Sequence, residues 1–333
     1  MTELTIIRPD DFHNHLRQGE LMPHLVQETE KVFGRTLVMP NTLPPVVTGE
    51  DLQRYRSELE SVGADLQFLM TFKIIQETKP EMITGLKSAG AIAGKLYPQG
   101  VTTNAEDGVE DVENLFPVFE AMQQENVVLC IHGELSGVED LQREEAFLPT
   151  LKKIHSNFSK LRIVLEHVST EAAVQLVQEL GEKVAATVTV HHLLLSTEDV
   201  RNGKLNPDHF CAPICKSEAD RAALVQIALS GHPKFFFGSD SAPHSRKDKE
   251  GEHPKPGIYS TPVALPLLTG LFESHDKLDQ LEDFTSRFGA EFYQLPQNQG
   301  QLSLVKEEWM VPKEYFGVVP LKKGERLKWK VMV

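Results

Sequence analysis

Residue types able to hold a metal or carry a proton recur at widely separated places along this chain. His13 and His15 sit in DDFHNHLRQGE, His132 in VVLCIHGE, His167 in RIVLEHV, and Asp240 and His244 in GSDSAPH. Imidazole and carboxylate are the groups that bind zinc and similar divalent ions. An H-x-H pair in an extended segment points both side chains one way, which suits chelation but equally suits a packed or solvated pair. Taken singly, His132 and His167 read as hydrogen-bonded core histidines, and Asp240 as the cap of a turn. Lys95, inside IAGKLY, is odder, because burying an ammonium is unfavourable unless it is paired or modified. Jointly the bland readings fare badly: each would have to put a ligand-type residue at the end of an apolar run by accident.

Those runs define the elements that must position the donors. They are residues 4–8, 36–40, 66–73, 92–97, 127–134, 162–168, 184–190 and 235–240. Each is continuous rather than alternating, as expected of strands buried on both faces. Helical spacing fills the gaps. Ser169 or Thr170 can cap EAAVQLVQEL, with Gly181 just past its end. Ser217 and Asp220 suit a capping box before residues 218–229. Residues 111–125 carry an apolar face that Pro117 kinks or delays. Strand then helix, about eight times over, predicts an α/β fold, either a closed (β/α)8 TIM barrel or an open doubly wound sheet. Eight strands favour the barrel, which takes about 250 residues. The excess suits long loops and a short C-terminal extension. The expected organisation is a single domain over 1–333, with the barrel at about 4–290 and the extension at about 291–333. Barrel enzymes build their sites at the C-terminal ends of the strands. There strand 1 leads to His13 and His15, strand 2 to Asn41, strand 4 to Lys95, strand 5 to His132, strand 6 to His167, and strand 8 to Asp240 with His244 beyond.

Other classes find little support. Lys plus Arg is 34 against 48 Asp plus Glu, a net charge of −14. That argues against broad nucleic-acid or anionic-membrane binding, although a local cluster can reverse the field inside a cleft. MTELTIIRPDD has no signal-peptide pattern, and no apolar stretch approaches the ~18 residues of a spanning helix, so a cytoplasmic location is expected. Three cysteines are too few for a disulfide framework. Cys211 and Cys215 could be half a metal site, but no second cysteine pair follows, and reduced thiols are the expectation. GAIAGKL misses the phosphate-loop spacing. No G-x-S-x-G elbow occurs.

The segments DDFHNHLRQGE, LVMPNT, GKLYPQGVTTN, IHGE, EHVST and GSDSAPH, in this order, resemble the dihydroorotase family of the amidohydrolase superfamily, in its shorter bacterial type. The likeness runs from about residue 8 to residue 265, and the segment 300–333 adds little to it. It implies two divalent metal ions, zinc foremost. His13, His15 and Asp240 would hold one, and His132 and His167 the other. Lys95 would be carboxylated on Nζ, its carbamate bridging both; that turns a buried cation into an anionic oxygen ligand. Arg17 and Asn41 would bind the substrate carboxylate, with His244 helping. Backbone groups of Ala212 would orient the ring, and Thr102 and Thr103 would ride a mobile loop closing over it. A further backbone N–H contact falls by spacing at Pro256, which has none, with Gly257 as its stand-in.

The implied reaction is the reversible interconversion of N-carbamoyl-L-aspartate and L-dihydroorotate plus water in pyrimidine biosynthesis, by a homodimer. A hydroxide shared by two metals would attack the ring amide, and Asp240 would carry its proton to the departing nitrogen. Hydantoinases, dihydropyrimidinases and allantoinases share such a metal set, and the Arg17–Asn41–His244 trio is what points to a substrate bearing a carboxylate. An inactive homologue acting as a structural partner would not need all six metal-centre residues.

Overall fold

The structure, a computed structural model, describes residues 2–332. Eight parallel strands follow one another around a barrel: β1 (Asp10–Asn14), β2 (Arg35–Val38), β3 (Gln67–Ile74), β4 (Ala91–Leu96), β5 (Val128–Ile131), β6 (Ile163–Leu165), β7 (Val184–Val188) and β8 (Phe235–Phe237). Seven ladders join them in sequence order. The seam between β8 and β1 closes just past β8. Asp240 N–H donates to His13 O (2.8 Å), and His15 N–H donates to Ser241 O (3.1 Å). Asp11, completely buried, accepts from Ser239 N–H (2.8 Å) and Ser239 Oγ (2.6 Å) across the same seam.

The first strand corrects the sequence expectation. LTIIR does form a strand, Glu3–Ile7, but outside the barrel, antiparallel to Gln301–Val305. Gln301–Val305 in turn pairs with Lys330–Val331. The barrel's own first strand reads DDFHN, which no hydrophobic pattern would select. Its buried charges are neutralised in place: Arg35 Nε and Nη2 donate to Asp10 Oδ1 and Oδ2 (2.8 and 2.6 Å). A bidentate pair of this kind lets a buried carboxylate stand where an apolar residue is expected. The C-terminal segment thus ties down the chain's beginning.

Local signals held elsewhere. Thr170 Oγ accepts from Ala173 N–H to open helix Glu171–Glu179, and Ser217 with Asp220 forms the capping box of Glu218–Ala228. Pro117 sits in the first turn of Phe116–Glu125, where its missing N–H leaves no helical bond unmade. The barrel interior is filled by a compact cluster including Phe12, Leu37, Leu69, Ala93, Cys130, Val164, Ala185 and Phe236. Tyr293, from the late helix Phe288–Tyr293, stacks on Phe12 at 4.9 Å and completes that filling. A separate, larger cluster lies between strands and surrounding helices.

Candidate active site at the barrel mouth

The site grows out of the barrel filling by simple alternation. Ala93, Cys130, Val164 and Ala185 face inward. Side chains two residues on share that face, and these are Lys95, His132, Glu166 and Thr187, all buried. Strand β2 follows the same parity, from Leu37 through Met39 to Asn41. The mouth of the barrel is therefore polar for the same geometric reason that its interior is apolar.

Two donors break the alternation through their backbones. His167 and Asp240 adopt left-handed conformations, with φ of 41° and 42°. Such conformations are uncommon for non-glycine residues and cost of order 1 kcal/mol or more. Each is held by a hydrogen bond to its own N–H: His167 N–H to Thr187 Oγ (2.7 Å), and Asp240 N–H to His13 O. The turn lets His167 enter the site directly after Glu166.

His13, His15 and Asp240 bring their ligating atoms within 4.8 Å of one another. Asp240 Oδ1 lies 3.1 Å from His15 Nε2 and 3.4 Å from His13 Nε2. His13 Nδ1 donates to Glu166 Oε2 (2.8 Å), which leaves Nε2 as the bare nitrogen facing Asp240. The His167 ring centroid is 5.0 Å from that of His13 and 4.7 Å from that of His132. His132 Nε2 is held by Glu134 (2.8 Å), leaving Nδ1 free for a ligand. Lys95 Nζ and His167 Nδ1 are buried with no partner among the described residues. Orphaned donors of this kind are rare unless a ligand completes them. All six metal-centre residues expected from sequence are thus brought together, and nitrogen and oxygen donors of this set fit divalent ions of the zinc class.

Electrostatics agree with that use. Burial pushes His15 down to about 3. Burial lowers His132, and burial with Lys95 nearby lowers His167 well below the imidazole range. These rings are neutral, the form that ligates. Burial alone would raise Asp240, but its bond to His15 and the surrounding imidazoles win, holding it below the usual carboxylate range. Burial also lowers the Lys95 ammonium. A neutral amine is the form that takes up carbon dioxide as a carbamate.

A cleft of about 480 Å³ opens beside His15 and is lined by Arg17, Asn41, Thr103 and His244, among others. Arg17 Nε donates to Pro243 O (3.2 Å), and Arg17 Nη2 lies 3.2 Å from His244 Nε2. Burial and Arg17 push His244 down to about 2, so that ring too is neutral. Asn41 Nδ2 donates to Thr103 O (3.1 Å), tying the cleft wall to the loop after β4. Thr102 is half-buried on that loop but does not line the cleft, and neither does half-buried Ala212. Gly257 N–H donates to Phe210 O (2.9 Å) and is thereby consumed, so it offers no replacement for the contact missing at Pro256. Pro256 contributes its carbonyl instead, 3.0 Å from His244 Nε2.

Sequence reasoning missed Glu166, Glu134 and Asp11. Glu166 was within reach, since it shares the parity of Lys95 and His132. Asp11 had no signal, because its partner Ser239 lies at the far end of the barrel sequence.

No family model matches the chain. The dihydroorotase of Aliivibrio salmonicida is 42% identical over 341 residues, covering 99% of this chain and all of that protein. The chain belongs to the dihydroorotase family. Members of that family are cyclic amidohydrolases that depend on metal. Among solved structures, dihydroorotase from Saccharomyces cerevisiae in complex with 5-fluoroorotic acid superposes with a TM-score of 0.95 at 35% identity, covering 100% of this chain and 99% of that one. L-Hydantoinase from Arthrobacter aurescens shares the fold, with a TM-score of 0.84 at 18% identity, covering 99% of this chain and 84% of that one. Among the described residues no helix is long and apolar enough to cross a membrane.

Proposed function

We propose that this dihydroorotase-family enzyme interconverts L-dihydroorotate and N-carbamoyl-L-aspartate in pyrimidine biosynthesis. One observation carries the reading: Arg17, Asn41 and His244 line the same cleft as His15, so a carboxylate-binding wall adjoins the donor cluster. Two divalent ions, zinc by this reading, would be held by His13, His15, Asp240, His132, His167 and a carboxylated Lys95, and would supply Lewis acidity and lower the pKa of water.

The chain's own groups do the rest. Arg17 offers the substrate carboxylate a forked, charge-assisted contact. Asn41 and His244 fix the carboxylate's plane; Thr103 lines the cleft, and Thr102 would join it in excluding water when their loop closes over the substrate. Backbone groups of Ala212, outside the cleft lining, would orient the ring once the substrate reaches the donor cluster. Asp240 turns Oδ1 toward the two imidazoles, and its carboxylate would take a proton from the attacking water and return it to the departing nitrogen. In ring closure the positive field of Arg17 offsets repulsion between the substrate's carboxylates, against a net protein charge of −14. A homodimer and a cytoplasmic location belong to the same reading and rest on the family likeness.

The test is hydrolysis of L-dihydroorotate, with hydantoin and dihydrouracil as controls, before chelation, after it, and after zinc is restored. We expect turnover of dihydroorotate alone, abolished by chelation and regained with zinc. Turnover of the uncharged rings in preference to dihydroorotate would overturn the assignment of the Arg17 wall.

A further inference from the structure

A second group of donor atoms lies behind the mouth, where β7 runs into the short helix Val190–Leu194. His191 and His192 sit on this helix, both fully buried. Ligating atoms of His191, His192 and Cys211 lie within 4.8 Å of one another. Cys215 Sγ is 3.7 Å from Cys211 Sγ. The half site seen in the sequence thus finds its other half, in histidines upstream rather than in a second cysteine pair.

The two histidines differ in how they are satisfied. His192 Nδ1 lies 2.9 Å from Thr189 Oγ, and its Nε2 lies 2.9 Å from Pro213 O. Among the described residues His191 has no hydrogen-bond partner on either ring nitrogen, although the residue is 0% exposed. A buried imidazole with two empty valences calls for a ligand. The sulfur spacing says which kind. Zn–S bonds near 2.3 Å at a tetrahedral angle hold two sulfurs about 3.8 Å apart, whereas a disulfide would bring them to about 2.05 Å. Two thiols in contact would also suit 3.7 Å, so the orphaned imidazole beside them is the deciding feature.

We propose that Cys211, His191 and His192 bind one thiophilic divalent cation of the zinc class, separate from the six-residue centre, with His192 exchanging its bond to Pro213 O for the ion and Cys215, beside Cys211, as a fourth donor. Thiolate and imidazole ligands select such an ion over magnesium or calcium. Binding releases the thiol protons that remain. The ion ties segment 211–215, which carries Ala212, to the end of β7. It is a structural clamp on one wall of the site, with no part in bond making.

The test uses full-length protein produced with cobalt in place of zinc. The six-residue centre contains no sulfur, so a thiolate-to-cobalt charge-transfer band in the near ultraviolet reports this site alone, whether or not dihydroorotate is turned over. Wild type should show the band. Cys215→Ser and Cys211→Ser should each lose or strongly diminish it, and their metal content should fall by one ion per chain relative to wild type. Cobalt-loaded wild type with a native circular dichroism spectrum and no such band would overturn the proposal. So would a mass deficit of two hydrogens that reduction restores, since the thiols would then be a disulfide.

Discussion

The barrel mouth has two sides built in different ways. The donor side comes from strand interiors: Lys95, His132 and Glu166 follow a fixed alternation above an apolar floor, and all are 1% exposed or less. The side proposed for recognition comes from loops: Arg17, Asn41, Thr103 and His244 are held by backbone carbonyls of Pro243, Thr103 and Pro256. Rigid strands suit ligand geometry, which tolerates little error. Loops suit the recognition of one substrate among many, since they change without disturbing the barrel. The fold shared with L-hydantoinase at 18% identity fits this division.

Lys95→Ala is the harshest test of that contrast. Removing a donor-side residue should lower turnover on the order of 10³-fold or more, with loss of bound metal by elemental analysis. Full activity, or an unchanged metal count, would remove Lys95 from the centre. Arg17→Met probes the other side. Loss of a charge-assisted contact worth about 1.5–3 kcal/mol should raise KM roughly 10- to 100-fold with metal content intact. A KM equal to wild type would sink the clamp.

Glu166→Gln separates direct ligation from support. Glu166 touches no substrate in this scheme and acts through His13, so the variant should bind metal about 10- to 100-fold more weakly. Excess zinc should then recover much of the turnover. Activity that zinc cannot restore would assign Glu166 a different role. The smallest effect concerns acidity. His15 and His244 titrate at about 3 and about 2 when folded, below their unfolded values. The stability this permits is full above pH ~6.5 and falls as pH drops toward 3, because the unfolded chain takes up protons that the folded one refuses. Each group contributes a slope of up to about 1.4 kcal/mol per pH unit. The Tm of metal-free protein should therefore decline between pH 7 and pH 5, more steeply with zinc bound. A flat profile would contradict the burial of these rings as neutral species.

Much of this was legible before any coordinates. Seven of eight barrel strands were apolar runs, and both capping motifs were spelled out. The candidate donors followed from asking what stands at strand ends, and their division into a metal-ligand set came with the family resemblance. The first strand was hidden because DDFHN satisfies its buried charges with Arg35 and Ser239, partners far away in sequence. Glu166 escaped because adjacent histidine drew the eye, although parity alone would have found it. The pairing of Arg17 with His244 depends on the barrel seam, which no local pattern encodes. The link between His191 and the 211–215 segment is likewise a matter of tertiary approach.

The antiparallel clasp between Glu3–Ile7, Gln301–Val305 and Lys330–Val331 has a consequence for biogenesis. On the ribosome, the strand bearing His13 emerges early with one flank bare, waiting for Asp240 and Ser241. The residues that pin down its N-terminal neighbour emerge about 300 residues later. A nascent chain therefore exposes His132 and His167 well before the His13–His15–Asp240 trio can assemble, so the full donor set exists only once the strand leading to Asp240 has emerged.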